Sequence, residues 1–506
     1  MTFAHPKRLT RAFNNVLTAC LLIGFAGCSA TRLAHDPVLC SQLDDILNRH
    51  ADKGAMLTAR VIDLESGTEL FASNENTPVM PASNMKLVIS SAGLDLLGAD
   101  YKFETHLARD GNDVWIIGTG NPAVGDSPLA KRRGETTMTV FDDWVKALKQ
   151  NGINRITGDL VYYEGAFDAY KFHDSWDHDD LVHWYAAPVS GLNFNDNCVD
   201  ITISPTTDGQ PVSYTVTPPF DDLVVINECI TGKDEAPTIN RMPHANVIVI
   251  GGGCDKKKTL KSKPVTDPGA FFAGAFRRHL ASNGITIDGE VRSSPSPLGD
   301  SIKPTAGKLI ATHTTTMPEV LWRINKSSQN LFAECMCKLS GRVLAQQQGL
   351  DHPGSWAGGE KAIRAFLKKN DIDDSKLKVS DGSGLSRGNN VTARLISDIL
   401  IAMHKHKDVE VFRASLAEPG ETGTLGRRMK GLNGRLFAKT GYIRGVRALS
   451  GYIHTANDRW LVFSFIYNRI PGSVQPFNKL QNEACELLYN WDPAKEKTET
   501  TESDEV

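Results

Sequence analysis

A serine placed three residues ahead of a lysine, in Pro81-Ala82-Ser83-Asn84-Met85-Lys86, opens a predicted helix over 83–97. That spacing puts Ser83 and Lys86 on one face of the first turn. The positive end of the helix dipole and removal from water both disfavour an ammonium ion there. A neutral lysine beside a serine can take its proton and activate an otherwise weak nucleophile. Alone the pattern is weak, because Ser375-Lys376-Leu377-Lys378 matches it too, in charged surroundings that predict a solvated turn.

Two further fragments give the pair something to work with. Trp322 to Asn330 joins two apparent helices and places Ser328 and Asn330 in a short loop, where a hydroxyl and an amide can relay a proton and hold a substrate amide. Lys439-Thr440-Gly441, inside LFAKTGYIRGVRALSGYI, interrupts an apolar strand. It supplies a cation for an anionic group, a hydroxyl, and a glycine that lets substrate lie against the strand. A lysine by itself at such a place is an edge-strand gatekeeper against aggregation. The chemistry therefore rests on the three fragments taken together.

The elements that must position them can be read from periodicity. A helix is expected over 38–50, with Leu39, Leu43, Ile46 and Leu47 on one face, then a hairpin over 56–73 turning at Glu65-Ser66-Gly67. The Ser83 helix stops at Gly98. Near the other end, strands at 434–441, 446–454 and 459–468 form a meander, followed by a helix over 476–490. Two early strands and three late ones predict one antiparallel five-stranded sheet, covered by the first and last helices. Between the ends, residues 104–304 are rich in short strands and turns and hold a near-repeat, ALKQNGINRITGDLVY and HLASNGITIDGEVRS. In each copy a helix stops at Asn-Gly, where glycine takes the left-handed cap, and a strand follows. This segment reads as a β-rich insertion, possible as two small domains, with the peptidase-like body formed by 36–103 and 305–493.

Ser-x-x-Lys, Ser-x-Asn and Lys-Thr-Gly, in that order on helix, loop and strand, resemble the motif set of penicillin-binding proteins and serine β-lactamases. The long gap from Ser83 to Ser328 resembles the low-molecular-mass class C members, the D-alanyl-D-alanine carboxypeptidase/endopeptidases. Tyr185 to Asn195, Asp381-Gly-Ser-Gly-Leu-Ser386 and Gly423-Thr424-Leu425 resemble that family too, so the likeness spans about residues 38–490. It implies an α+β transpeptidase-like fold and attack by Ser83 on the penultimate carbonyl of a D-Ala-D-Ala stem peptide of peptidoglycan, with Lys86 as base. It further implies an oxyanion hole from the backbone N–H groups of Ser83 and Tyr442, and a carboxylate site at Lys439 and Thr440. Ser328 and Asn330 would assist protonation of the leaving amine. β-Lactams would be covalent inhibitors, and no metal or organic cofactor is needed. Tyr442 departs from the small hydroxyl residue often found after Lys-Thr-Gly. Arg444 is a candidate to replace the lost carboxylate contact, set against a solvated turn arginine. Two alternatives share parts of this pattern. A β-lactamase would release a penicilloyl adduct quickly, and a wall-binding lipoprotein without activity would have no need of Lys86.

Composition is that of a globular protein: 506 residues, 41% hydrophobic, 23% charged and a net charge of −3. No basic face or arm stands out for nucleic acid. Lys7, Arg8 and Arg11 precede an apolar run from Val16 to Phe25, the pattern of a signal peptide over 1–28. Phe25-Ala26-Gly27-Cys28 resembles the bacterial lipobox, which implies a lipid on Cys28, and Ser29 resembles the signal for sorting to the outer membrane. The charged segment 494–506 is expected to be a disordered tail. Export permits disulfides. The expectation is a Cys40–Cys485 bridge and one pair among Cys198, Cys229 and Cys254, while Cys335 and Cys337 point apart on a helix. No cysteines have metal-ligand spacing. The acidic and histidine run from His173 to Asp180 reads as a solvated loop rather than a metal site.

Overall fold

The computed structural model describes residues 36–50, 54–298 and 307–493. The expected signal peptide with Cys28 and the expected tail at 494–506 lie outside the described residues. Five strands form the central sheet: β1 (Met56–Asp63), β2 (Glu69–Ser73), β3 (Leu436–Ile443), β4 (Val446–His454) and β5 (Trp460–Asn468). Their order is β3-β4-β5-β1-β2 and every pairing is antiparallel. An early strand and a late one meet where β1 pairs with β5, Met56 opposite Asn468.

The strand period of two separates two cores. On β5, Leu461, Phe463, Phe465 and Tyr467 face the first and last helices, α1 (Pro37–Leu47) and α7 (Gln475–Asn490). Leu39, Leu43 and Leu47 of α1 and Phe477, Leu480 and Leu488 of α7 complete that layer. Val462 and Ile466 face the other way, onto α2 (Met85–Leu97) and the helices beyond it. These are α3 (Met317–Asn325), α4 (Asn330–Gln347), α5 (Trp356–Lys369) and α6 (Ala393–His404). Ten of the thirteen residues of α2 are buried, so it runs as a central helix rather than an amphipathic surface one.

The inserted segment has a second sheet of five strands. Its edge strand Lys308–Thr316 pairs antiparallel with Lys102–Asp110, so the insertion leaves and re-enters the body along neighbouring strands. The near-repeat forms one structural unit. Thr286–Ile287 pairs in parallel with Arg155–Ile156, and Val291–Ser293 with Leu160–Tyr163, each copy beside the other. One hydrophobic cluster, built around Phe141, Trp144, Phe194, Phe271 and Phe272, runs through the insertion. Bidentate hydrogen bonds of 2.7 Å from Arg133 to Glu319 tie the segment to the first turn of α3.

The cysteine expectations are corrected. All seven cysteines from Cys40 to Cys485 are free thiols. Leu39, Leu43 and Leu47 occupy the buried stripe of α1, which leaves Cys40 at its side and half exposed, whereas Cys485 points into the core. In the insertion, the register sets Cys254 opposite Thr231 rather than Cys229, and the Cys254 thiol donates to the carbonyl of Lys256.

Candidate active site

Ser83 lies in a strained turn. Residues 82–84 form one turn of 3-10 helix leading into α2, and Ala82 has φ +46°, a left-handed conformation that costs an alanine about 1 kcal/mol. Ser83 is half exposed, while Ala82, Asn84 and Lys86 are buried. The next residue pins the turn to the sheet: Asn84 Nδ2 donates to Ser450 Oγ at 2.6 Å, and Ser450 Oγ donates to Ser464 Oγ at 2.9 Å.

Lys86 Nζ donates to Ser83 Oγ at 3.2 Å, to Asn330 Oδ1 at 2.6 Å and to the Ser383 carbonyl at 2.8 Å. Three acceptors use all three protons of the ammonium form. Complete burial pulls its pKa down to about 8, against the opposing pull of the Glu334 and Asp381 carboxyls. A lysine in this state can exchange a proton with Ser83 near neutral pH.

Ser328 and Asn330 lie where the motif spacing predicts, with one refinement: Asn330 is the first residue of α4 rather than part of the loop. Ser328 adopts φ +62°, a second left-handed non-glycine position beside the cleft. Its loop is clamped from the insertion. Gln329 Nε2 donates to Asp196, and Arg323 bridges Asp196 to the buried Asp126. Asn330 Nδ2 donates to the Tyr185 carbonyl at 2.7 Å, so the inserted segment contributes one wall of the site.

The third fragment sits on the edge strand β3. Lys439 is fully buried and donates to Ser328 Oγ at 2.9 Å and to the Thr440 carbonyl at 2.8 Å. Burial, reinforced by the charges of Lys86 and Arg447, pushes its pKa well down. Ala438 exchanges both backbone hydrogen bonds with Ala417 across the outer edge. The period of two then turns the backbone N–H groups of Thr440 and Tyr442 outward as well, toward the face an extended peptide would pair with, while the outward Thr440 carbonyl already accepts from Lys439.

Gly441 also has a packing reason. A Cβ there would lie 2.9 Å from the Pro81 carbonyl and 2.9 Å from Ala448 Cβ. The glycine lets the strand close on the turn that carries Ser83. The Tyr442 ring is exposed, with the Arg447 guanidinium 5.7 Å from its centre. Arg444 lies exposed in the hairpin turn, its carbonyl accepting from Arg387, as expected of a turn arginine. Ser375 and Lys376 form an exposed turn apart from this group, with Lys376 donating to the Asn76 carbonyl.

Sequence reasoning missed the layer behind Lys86. Glu334, one turn along α4 from Asn330, accepts from the N–H groups of Gly382 and Ser383 and from Trp356 Nε1. Asp381 accepts from Gly384, Ser386, Asn389 and Trp176 Nε1. The signal for Glu334 was present, as an acidic residue within Leu331-Phe332-Ala333-Glu334-Cys335-Met336, where a charge is costly unless paired. In the His173–Asp180 run the acids between 174 and 179 face solvent, but Trp176 is buried against Asp381. Among the described residues no group of His, Cys, Asp and Glu is arranged to hold a metal.

A serine held by a buried lysine, a second serine bridged to a second lysine, and an open strand edge define a serine acyl-transfer site of the penicillin-recognising kind. The chain belongs to the D-Ala-D-Ala carboxypeptidase 3 (S13) family, whose model matches residues 39–485, and it is a serine-type D-Ala-D-Ala carboxypeptidase. It is 29% identical to a D-alanyl-D-alanine carboxypeptidase of Actinomadura sp. (strain R39) over 88% of this chain and 83% of that one. It is 26% identical to the D-alanyl-D-alanine carboxypeptidase DacB of Haemophilus influenzae over 80% of this chain and 84% of that one. Among solved structures, penicillin-binding protein 4 of Haemophilus influenzae has the same fold. The TM-score is 0.74 at 22% identity, covering 89% of this chain and 99% of that one.

Proposed function

We propose that Ser83 is the acylated nucleophile and that the enzyme both trims terminal D-Ala from stem peptides and opens D,D-cross-links. The observation that carries this reading is the 3.2 Å contact of Lys86 Nζ with Ser83 Oγ, in a lysine whose charge burial disfavours. Neutral Lys86 takes the hydroxyl proton as Ser83 Oγ bonds to the penultimate carbonyl carbon. The backbone N–H groups of Ser83 and Tyr442 receive the developing oxyanion. Collapse breaks the C–N bond, and the leaving amine takes a proton relayed from Lys86 through Ser328, with Asn330 holding the substrate amide. Water then attacks the ester and restores Ser83. The terminal carboxylate meets the hydroxyls of Thr440 and Ser328, with Lys439 behind them as the balancing charge. An exposed strand edge takes an extended peptide on either side of the scissile bond, which suits a cross-linked donor as well as a free terminus. β-Lactams acylate the same serine.

Incubation with purified muropeptides, followed by mass analysis, tests this. Pentapeptides are expected to lose one alanine, and cross-linked dimers to split into monomers. Dimers left intact while pentapeptides are trimmed would restrict the enzyme to carboxypeptidase activity.

The enzyme works in the cell envelope, on the periplasmic side, tethered to the outer membrane by a lipid on Cys28. None of the helices among the described residues is long and apolar enough to cross a membrane. With the full chain expressed, Cys28→Ala should move the enzyme from the membrane pellet to the soluble fraction with its activity retained. Pelleting that is unchanged would remove the lipid anchor.

A further inference from the structure

We propose that Glu334 is a positioning residue for Lys86: its carboxylate fixes the Gly382–Ser383 backbone whose carbonyl holds the lysine against Ser83, and its charge acts on the same ammonium group. The inference rests on Lys86 being the base, as argued above.

The geometry is a closed circuit. One oxygen of Glu334 accepts the Ser383 N–H at 2.9 Å, and the other accepts Gly382 N–H at 2.9 Å and Trp356 Nε1 at 2.7 Å. The Ser383 carbonyl, on the far side of the same residue, accepts a hydrogen bond from Lys86 Nζ at 2.8 Å. Asn330, four residues before Glu334 on the same face of α4, takes another at 2.6 Å. One helix face thus reaches Lys86 twice, directly through Asn330 and indirectly through Glu334. The same loop presses on the nucleophile: a Cβ on Gly384 would lie 1.8 Å from the Ala82 carbonyl. A shift of the 382–384 backbone is therefore transmitted to both members of the Ser83–Lys86 pair.

Glu334 is fully buried, and its charge acts on Lys86, favouring the ammonium form against the effect of burial. From α2 it faces Lys86, and from the 381–386 loop it faces Asp381, whose oxygens are occupied by four donors. From α5 it meets Trp356. Lys338, one turn along α4, lies over the Trp356 ring and pairs with Asp168. From the insertion, His173 packs edge-on against Trp356 and is biased by burial toward its neutral form. The Cys337 thiol is held protonated by burial. Burial and the Asp381 charge raise the Glu334 pKa to about 7, against the hydrogen bonds from Ser383, Gly382 and Trp356. Ionised Glu334 favours the Lys86 ammonium, so its removal lowers the lysine pKa and moves the acidic limb of acylation to lower pH.

The test measures the rate of acylation by a fluorescent penicillin across roughly pH 5 to 10. It compares the wild-type chain with Glu334→Gln, Trp356→Phe and Lys86→Met. Glu334→Gln keeps the shape but loses the charge and turns an NH2 group on a backbone donor. Its maximal rate should fall about tenfold, and its acidic limb should move down by about one pH unit. Trp356→Phe removes one donor from Glu334 and leaves its carboxyl in place, so a smaller shift in the same direction is expected even if Glu334→Gln fails to fold. A lower rate with the limb unmoved in both variants would reduce Glu334 to a structural part and overturn the proposal. Lys86→Met should not be acylated. Wild-type acylation of that variant would instead remove Lys86 as base, a failure the Glu334 variants alone do not produce.

Discussion

Ser83→Ala should abolish covalent labelling by a fluorescent penicillin and lower D-Ala-D-Ala turnover by roughly 10⁴-fold or more, with no change in fold. Ser83 is the serine that combines a hydrogen bond to a buried lysine, half exposure to the cleft, and a neighbouring residue locked to the central sheet. The hydroxyl it loses accepts from Lys86, which keeps Asn330 and the Ser383 carbonyl as acceptors, so little stability should go with it. Thermal unfolding close to that of the parent chain, measured beside the labelling, separates lost chemistry from lost structure. An adduct that mapped by mass to Ser328 or Ser375 would sink the assignment.

Gly384→Ala should do nearly as much damage from outside the motif triplet. Gly384 has φ +82° and closes on the Ala82 carbonyl, a backbone atom that cannot swing aside. The methyl group must displace either its own loop, which holds Lys86 through Ser383, or the 82–84 turn, which carries Ser83. The combination of a left-handed alanine and a backbone overlap is expected to cost roughly 2–4 kcal/mol in stability. Displacing the pair by about 1 Å should slow acylation on the order of a hundredfold. Urea unfolding and the acylation rate measure the two effects. Wild-type values for both would mean that the loop and the nucleophile turn are not in register as described.

Why so much of this site was readable, and some of it not, follows from where the information lies. The Ser83 helix, the edge strand and the meander are set by local pattern, and each strand was placed to within about two residues because apolar alternation is a local signal. The motif triplet was readable because each member combines an unusual residue type with a recognisable element. Glu334 was not, since its partners are backbone N–H groups of a loop that no local pattern joins to α4. Trp176 hid in the same way, in an acidic run that otherwise faces water. The close approach of Gly441 to Pro81 was not legible either, because that contact joins residues 360 positions apart. The cysteines were misjudged because helix packing brings α1 and α7 together without bringing Cys40 and Cys485 face to face. A disulfide needs matched side-chain directions as well as neighbouring helices.

The pairing of β1 with β5 has a consequence for how the chain acquires its activity. Those strands are about 400 residues apart in sequence, and β1 also needs β2, which is only a short turn away. The hairpin is therefore a local product, while the sheet has very high contact order and closes only when the last strand arrives. The inserted segment does not obstruct that closure. Its two ends are adjacent strands, and the entropy of closing a loop grows only slowly with its length. During synthesis the turn that carries Ser83 exists early as sequence, but the strand that supplies Lys439 and the one that carries Ser464 come last. The Ser83, Ser328 and Lys439 fragments are thus brought together only on a chain delivered almost whole, so a partial product carries the parts of the site without the site.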